Sequence, residues 1–164
     1  MKAKVLLMAV LLISGCQNRN PENNQSKEDR VRCQNNIRSL SIAVKRYQDD
    51  HGNWPKSLEE ALRDMGHGEE VFESLRCPGY KSKEANIKPV TPSEIYAYID
   101  WSRWFATSNT PGEYPLVYDR QLNNHEGLGI NVGLINGTRF WDSNAKWLEE
   151  FSKKHSEYGV LMPR

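Results

Sequence analysis

The first sixteen residues constrain the fold most, because they determine where the chain folds and how much of it remains. Lys2 and Lys4 give a basic start, and an apolar run over residues 5–13 is followed by a small Ser-Gly pair. A transmembrane helix needs about 20 apolar residues, so this run has the length of the apolar region in a secretory signal peptide. We therefore expect a secretory signal peptide at the start of the chain, which is removed from the mature protein.

The end of this segment resembles the lipobox of bacterial lipoproteins. The matching residues are LISGC at 12–16, in which an aliphatic residue, a small residue and glycine precede Cys16. The resemblance implies that residues 1–15 are removed and that the mature chain begins at Cys16. It also implies acyl chains on the Cys16 thiol, which tether a protein to a membrane without a transmembrane helix. It also implies the bacterial cell envelope, and Gln17, which is not the aspartate of inner-membrane retention, favours the outer membrane. An ordinary signal peptide with an unrelated cysteine is the alternative.

Residues 17–30 contain no aliphatic or aromatic side chain. Such a segment cannot bury enough apolar surface to offset its ordering entropy. We therefore predict a lipidated cysteine with a flexible tether over 16–30, and one globular domain over 31–164. The chain has 22 basic and 21 acidic residues and no polybasic run, so nothing indicates nucleic acid as a partner.

Two cysteines, Cys33 and Cys77, remain for the domain. An exported protein meets oxidising conditions, so we expect them to form a disulfide. The bond would close a loop of about 44 residues and contribute about 3–4 kcal/mol if unstrained. Two buried free thiols that pack as small apolar side chains are the alternative.

The first half of the domain is predicted to be helical. Apolar residues recur at helical spacing and predict a helix over 32–50 that stops at Gly52; they are Ile37, Leu40, Val44 and Tyr47. The capping-box sequence at 57–60 opens a short helix that closes at Gly66, and a further turn is expected over 70–75. Near the C-terminus, an Asp142-Ser143 cap precedes a short amphipathic helix that ends at about residue 154.

The second half is predicted to form strands. Short β-like runs bounded by turn residues lie at 95–99, 114–119, 129–135 and 138–142. Asn136-Gly137 between the last two predicts a two-residue type I′ hairpin. That turn would pair Ile135 with Thr138, and it would pair Gly133 with Phe140, whose ring would cover the glycine. The fold class is therefore α+β: a long N-terminal helix, a small antiparallel sheet and a short C-terminal helix.

Several motifs occur in a fixed order over most of residues 31–142. They are CQNNIRSLSIA at 33–43, YQDDHGNWP at 47–55, CP at 77–78, YAY at 96–98, VYD at 117–119, and His125 followed by NG at 136–137. In this order they resemble type II secretion pseudopilins, and especially the pseudopilin-like group that ends in histidine, nine residues and Asp-Gly. The resemblance implies a pseudopilin-like head that contacts other envelope proteins, linked to type II secretion or pilus-type machinery.

The sequence departs from that family in two respects. A lipobox and a polar tether replace the family's peptidase site and long hydrophobic helix, so ordinary filament assembly is not implied. Ten residues separate His125 from Asn136, and asparagine stands where the family has aspartate.

The sequence offers few candidates for a metal or catalytic site. Major pseudopilins hold calcium in a loop of their sheet, and the comparable oxygen donors here are Asp119, Asn123 and Asn124. One carboxylate and two amides are a small ligand set, so we expect no cofactor. The histidines do not have the spacing of a zinc site, and His125 is expected to be a turn or hydrogen-bonding residue rather than a catalytic one.

A last candidate is the aromatic cluster WSRWF, with Trp101, Trp104 and Phe105. On an exposed loop, these rings could stack on a glycan or anchor a protein partner. A glycan- or ligand-binding envelope lipoprotein is therefore the alternative function. Aromatic clusters more often cap an apolar core, and we expect that role here. The favoured interpretation is a non-enzymatic, lipid-anchored envelope protein whose head mediates protein–protein contacts.

Overall fold

The computed structural model describes residues 21–80, 90–105 and 109–164, with side chains from residue 27 onward. The signal peptide over 1–15, the lipidation site Cys16 and the first part of the tether lie outside these residues. The helices are α1 (Pro21–His51), α2 (Leu58–Asp64), α3 (Glu69–Ser74), α4 (Pro92–Ile95) and α5 (Lys146–Lys154). The strands are β1 (Tyr96–Tyr98), β2 (Pro115–Asp119), β3 (Gly129–Leu134) and β4 (Arg139–Ser143). The α+β class is as predicted.

Helix α1 begins earlier than predicted. It starts at Pro21 rather than at residue 32, so it includes the residues 21–30 that we predict as tether. Proline is well tolerated at the first position of a helix, where its missing N–H would have no partner. The later turns of the helix are already held by packing, so no new nucleation is needed. Extending the helix through residues with high helix propensity, such as Glu, Gln, Lys and Arg, therefore costs little free energy. The predicted end is confirmed, because Gly52 takes a positive φ of 71°.

The four strands form one antiparallel sheet in the order β1-β2-β3-β4. All four predicted strands are present, with bounds shifted by at most one residue. Helix α1 packs on one face of the sheet, where its residues Ile37, Leu40 and Val44 are fully buried. Helix α5 and the aromatic cluster cover the other face.

The hairpin between β3 and β4 corrects the predicted register. The backbone N–H of Gly137 donates to the carbonyl of Leu134 at 3.0 Å, and the N–H of Leu134 donates to Thr138 at 2.8 Å. Residues 135–137 therefore form a three-residue loop with Gly137 at a φ of 84°. A type I′ turn needs positive φ at both central residues, whereas here only the glycine has it. The predicted pairing of Ile135 with Thr138 is wrong.

This difference of one residue changes the partner of Gly133. Gly133 pairs with Arg139 instead of Phe140, and it faces α1. A Cβ at this position would lie 2.8 Å from Ile37 Cγ2 and 3.0 Å from Ser41 Oγ. The glycine therefore allows close approach of the helix to the sheet, and no aromatic ring covers it. Phe140 lies on the opposite face against Trp147, with ring centroids 5.0 Å apart.

Side-chain caps define several helix starts. The Asp142 carboxylate accepts hydrogen bonds from the backbone N–H groups of Trp147 and Leu148, both at 2.9 Å, as the predicted cap requires. Helix α4 is not among the predicted elements. Its capping box pairs Thr91 with Glu94, and its first residue is a proline. The sequence TPSE at 91–94 carries this signal.

Candidate functional site

The two cysteines of the domain form a disulfide, as predicted. Cys33 and Cys77 are fully buried, and their Cα atoms lie 5.2 Å apart. The bond joins α1 to the segment that follows α3, 44 residues later. It therefore fixes the helix relative to the remainder of the domain.

A buried polar cluster lies beside this disulfide, and we call it the Asp119 cluster; its members are Asp119, Asn124, His125 and Asn131. Each is at most 4% exposed. The Asp119 Oδ2 atom accepts hydrogen bonds from the backbone N–H of Asn131 at 2.7 Å and from its amide at 3.0 Å. His125 Nε2 lies 3.1 Å from the same oxygen and 3.9 Å from Cys77 Sγ. Burial and this nearby carboxylate raise the pKa of Tyr96, which stays neutral and donates to the Leu75 carbonyl.

The Asp119 cluster keeps several polar atoms without a hydrogen-bond partner among the described residues. They are Asp119 Oδ1, Asn131 Oδ1 and both side-chain polar atoms of Asn124. Buried groups of this kind usually bind ordered water. The three candidate calcium ligands are not brought into one environment, because Asn123 is exposed whereas Asp119 and Asn124 are buried.

The chemistry available to the Asp119 cluster is limited. Ligand atoms of Cys33, Cys77 and His125 lie within 4.8 Å of one another, but the sulfur atoms are bonded together and thiolates are the form that binds metal. One nitrogen of His125 contacts both Asp119 and Cys77, so these residues do not form a relay in which each ring nitrogen has its own partner. His125 ends a 3₁₀ turn and hydrogen-bonds, as predicted, although its partners are side chains.

The predicted aromatic site residues lie on the other face of the sheet. Trp101 is 0% exposed, and its indole N–H donates to the Pro115 carbonyl at 2.9 Å. Its ring meets those of Trp104 and Tyr158 at 61° and 88°. Trp104 and Phe105 are half-buried against it. A buried indole with edge-on neighbours offers no flat face to a sugar ring, so the arrangement corresponds to the expected core role.

An open groove lies between α1 and the β3–β4 hairpin, and we call it the hairpin groove. Its volume is about 510 Å³. Isoleucine side chains supply its apolar lining: Ile37, Ile42 and Ile135. Basic side chains supply its charge: Arg38, Lys45 and Arg139. No acidic residue among those described lines it.

The hairpin groove could not be predicted from sequence spacing. Arg38 and Arg139 are a hundred positions apart, and they lie together only because Gly133 lets α1 pack closely against the sheet. The one sequence feature that indicates this groove is Ile42, an isoleucine on the face of α1 opposite its apolar stripe. It is 51% exposed.

Comparison with protein-family models, curated proteins and solved structures finds no match to this chain. Among the described residues, no helix has the length and apolar character needed to cross a bilayer.

Proposed function

We propose that this chain is a non-enzymatic, lipid-anchored envelope protein whose pseudopilin-like head binds another envelope protein through the hairpin groove. One observation carries the proposal. The groove combines an exposed isoleucine, Ile42, with three basic side chains in one open concave surface. Exposed apolar surface rimmed by charge is typical of protein contact sites.

The position of the groove along α1 is consistent with a tethered head. Ile42 lies 21 residues after Pro21 on one helix, which corresponds to about 30 Å along its axis. Cys16 precedes that helix by five residues. An acyl anchor there would hold the head near a bilayer, while the helix separates the groove from the anchored end.

The non-enzymatic part of the proposal is supported by the Asp119 cluster. Its histidine and carboxylate are buried, and the sulfur beside them is oxidised. A nucleophile with its base needs access to substrate, and this cluster offers none.

The family assignment is supported by architecture and motif order. A long N-terminal helix on a small antiparallel sheet is the arrangement that the pseudopilin resemblance implies. A link to type II secretion or pilus-type machinery follows only from that resemblance. The alternative, a glycan-binding lipoprotein, is less favoured because Trp101 is buried.

Two measurements in the native host test the proposal. Metabolic labelling with an alkyne analogue of palmitate should mark the full chain, and Cys16→Ser should abolish the label. A photo-crosslinking amino acid at Ile42 or Thr138 should yield discrete protein adducts, whereas the same residue at Lys154, on α5, should not. An unlabelled chain would refute the anchor, and identical adducts at all three positions would refute a groove-specific contact.

A further inference from the structure

We infer that the partner segment in the hairpin groove is acidic and aliphatic, a short stretch that combines carboxylate and leucine-like side chains. This inference rests on the proposed contact function of the groove and specifies the chemistry of its partner.

The positive charge of the groove indicates an acidic partner. Arg38 is exposed and Arg139 is half-buried, and neither forms an ion pair with an acidic residue among those described. Lys45 lies 3.3 Å from Asp49, so its charge is partly compensated. A partner that covers Arg38 and Arg139 removes water from two guanidinium groups. That removal is unfavourable unless carboxylates replace the water.

The apolar lining of the groove indicates aliphatic side chains in the partner. Ile42 and Ile135 give the groove accessible apolar surface, and Ile37, which is fully buried, lies beneath it. Burying the exposed side chain of Ile42 removes apolar surface from water, which favours binding of an aliphatic partner. The volume of about 510 Å³ lies within the range of small-ligand sites, roughly 300–1,000 Å³. A few side chains of an extended segment therefore fit the groove better than the broad face of a domain.

The chain itself does not supply such a segment. The residues outside the described ranges, 1–20, 81–89 and 106–108, contain one acidic residue, Glu84, and several lysines. A second copy is the other source of acid, because Glu69, Glu70 and Glu73 are exposed on α3. Those carboxylates lie on a short helix rather than in an extended segment, and Glu73 already pairs with Arg76 at 3.1 Å. A different protein is therefore favoured.

The test measures binding of a labelled octapeptide, DELLEELD, to the lipidated full chain in neutral detergent micelles by fluorescence anisotropy. We expect saturable binding that weakens as salt rises, because exposed charge pairs are screened. The amide counterpart NQLLQQLN should bind about tenfold more weakly. Arg38→Glu with Arg139→Glu should reduce affinity for the acidic peptide by about tenfold or more.

The matched control is Lys56→Glu with Lys154→Glu, which changes net charge equally on exposed lysines outside the groove. It should change affinity less than about twofold. If the double glutamate variant unfolds, Arg38→Gln with Arg139→Gln provides the same test without new negative charge. Ile42→Ser should weaken binding of both peptides, because it removes apolar contact and no charge.

Other outcomes separate this inference from the proposed function. If crosslinks from Ile42 form in the host but the acidic peptide does not bind, the acidic chemistry is refuted and the contact function stands. If the peptide binds but no host crosslink forms, the chemistry is supported and the contact function is refuted. A dimer in sedimentation velocity that Arg38→Glu with Arg139→Glu abolishes would assign the groove to a second copy and overturn the inference.

Discussion

The two faces of the sheet are stabilised by different kinds of interaction. On the α1 face, a disulfide and the Asp119 cluster combine a covalent bond with directional hydrogen bonds. On the α5 face, aromatic rings pack around Trp101 with one indole hydrogen bond. Hydrogen bonds require one particular geometry, whereas ring packing depends mainly on buried area. The α1 face therefore determines the helix orientation that the hairpin groove requires, and the α5 face contributes apolar burial centred on Trp101.

A single side-chain truncation should destabilise the protein more on the α5 face than on the α1 face. Trp101→Ala removes a fully buried indole and leaves the Pro115 carbonyl without its donor. We expect the free energy of unfolding to fall by about 3–5 kcal/mol. Urea denaturation followed by circular dichroism measures this change. Trp104→Ala is the control, since its ring is only half-buried, and an equal loss there would contradict the central role of Trp101.

The covalent part of the α1 face is tested by removing the disulfide. Cys33→Ala with Cys77→Ala should lower the free energy of unfolding by about 2–4 kcal/mol, because the unfolded chain regains the freedom of a 44-residue loop. Thermal unfolding with and without a thiol reductant provides the measurement. Reductant should lower the midpoint of the unaltered protein and leave that of the double variant unchanged. A double variant as stable as the parent would refute the contrast between the faces.

The close approach of α1 to the sheet is tested at Gly133. Gly133→Ala places a methyl group against Ile37 and Ser41, so we expect a loss of about 1–3 kcal/mol from overpacking. A double-mutant cycle with Ile37→Ala should be non-additive, because the smaller side chain relieves the clash. Additive losses in denaturant melts would show that the helix does not press on this glycine.

Loss of the hydrogen bonds that join β4 to α5 should lower the free energy of unfolding by a smaller amount. Asp142→Ala leaves the backbone N–H groups of Trp147 and Leu148 without their acceptor. The expected cost is about 1–2 kcal/mol. Chemical denaturation is again the measurement, and Asp142→Asn, which keeps one acceptor oxygen, should lose less. Equal losses in the two variants would mean that the carboxylate does not act as a cap.

The smallest expected effect is a loss of stability at acidic pH, and it arises at the contact between α2 and α4. Burial disfavours the charged form of Glu59, but hydrogen bonds from the Ser93 backbone and hydroxyl outweigh it, so the pKa of Glu59 is lowered. A lowered folded-state pKa stabilises the fold above the unfolded value of about 4.3, and this contribution is lost as pH falls through the folded pKa. The stability difference between the parent and Glu59→Gln should therefore shrink between about pH 6 and pH 3. A stability difference that does not change with pH would contradict the lowered pKa of Glu59.

The sequence predicts local structure well where one pattern decides it. The α1 stripe, the four strands, the Ser57 and Asp142 caps and the disulfide all follow from spacing or compartment. The hairpin register does not, because Asn136-Gly137 is compatible with loops of two and of three residues. Packing of Gly133 against α1 is consistent only with the longer one.

The sites were harder to predict than the elements. The Asp119 cluster combines β2, β3 and a 3₁₀ turn, and the motifs that contain Asp119 and His125 do not indicate that these side chains meet. The aromatic cluster was visible in the sequence, but its burial depends on α5 and Tyr158, which follow far along the chain. Sequence spacing gives no information about side chains that meet only through tertiary contacts.

The length of the β3–β4 loop also determines which side chains the head shows to a partner. In the observed register Arg139 faces the groove, and Trp141 lies beneath the Arg30 guanidinium at 4.8 Å. A two-residue loop at Asn136-Gly137 would instead shift the pairing by one residue and turn β4 over, so that Phe140 would replace the arginine. Changes in turn length during evolution would therefore convert a basic recognition surface into an aromatic one, and partner choice in proteins of this design should vary together with this loop.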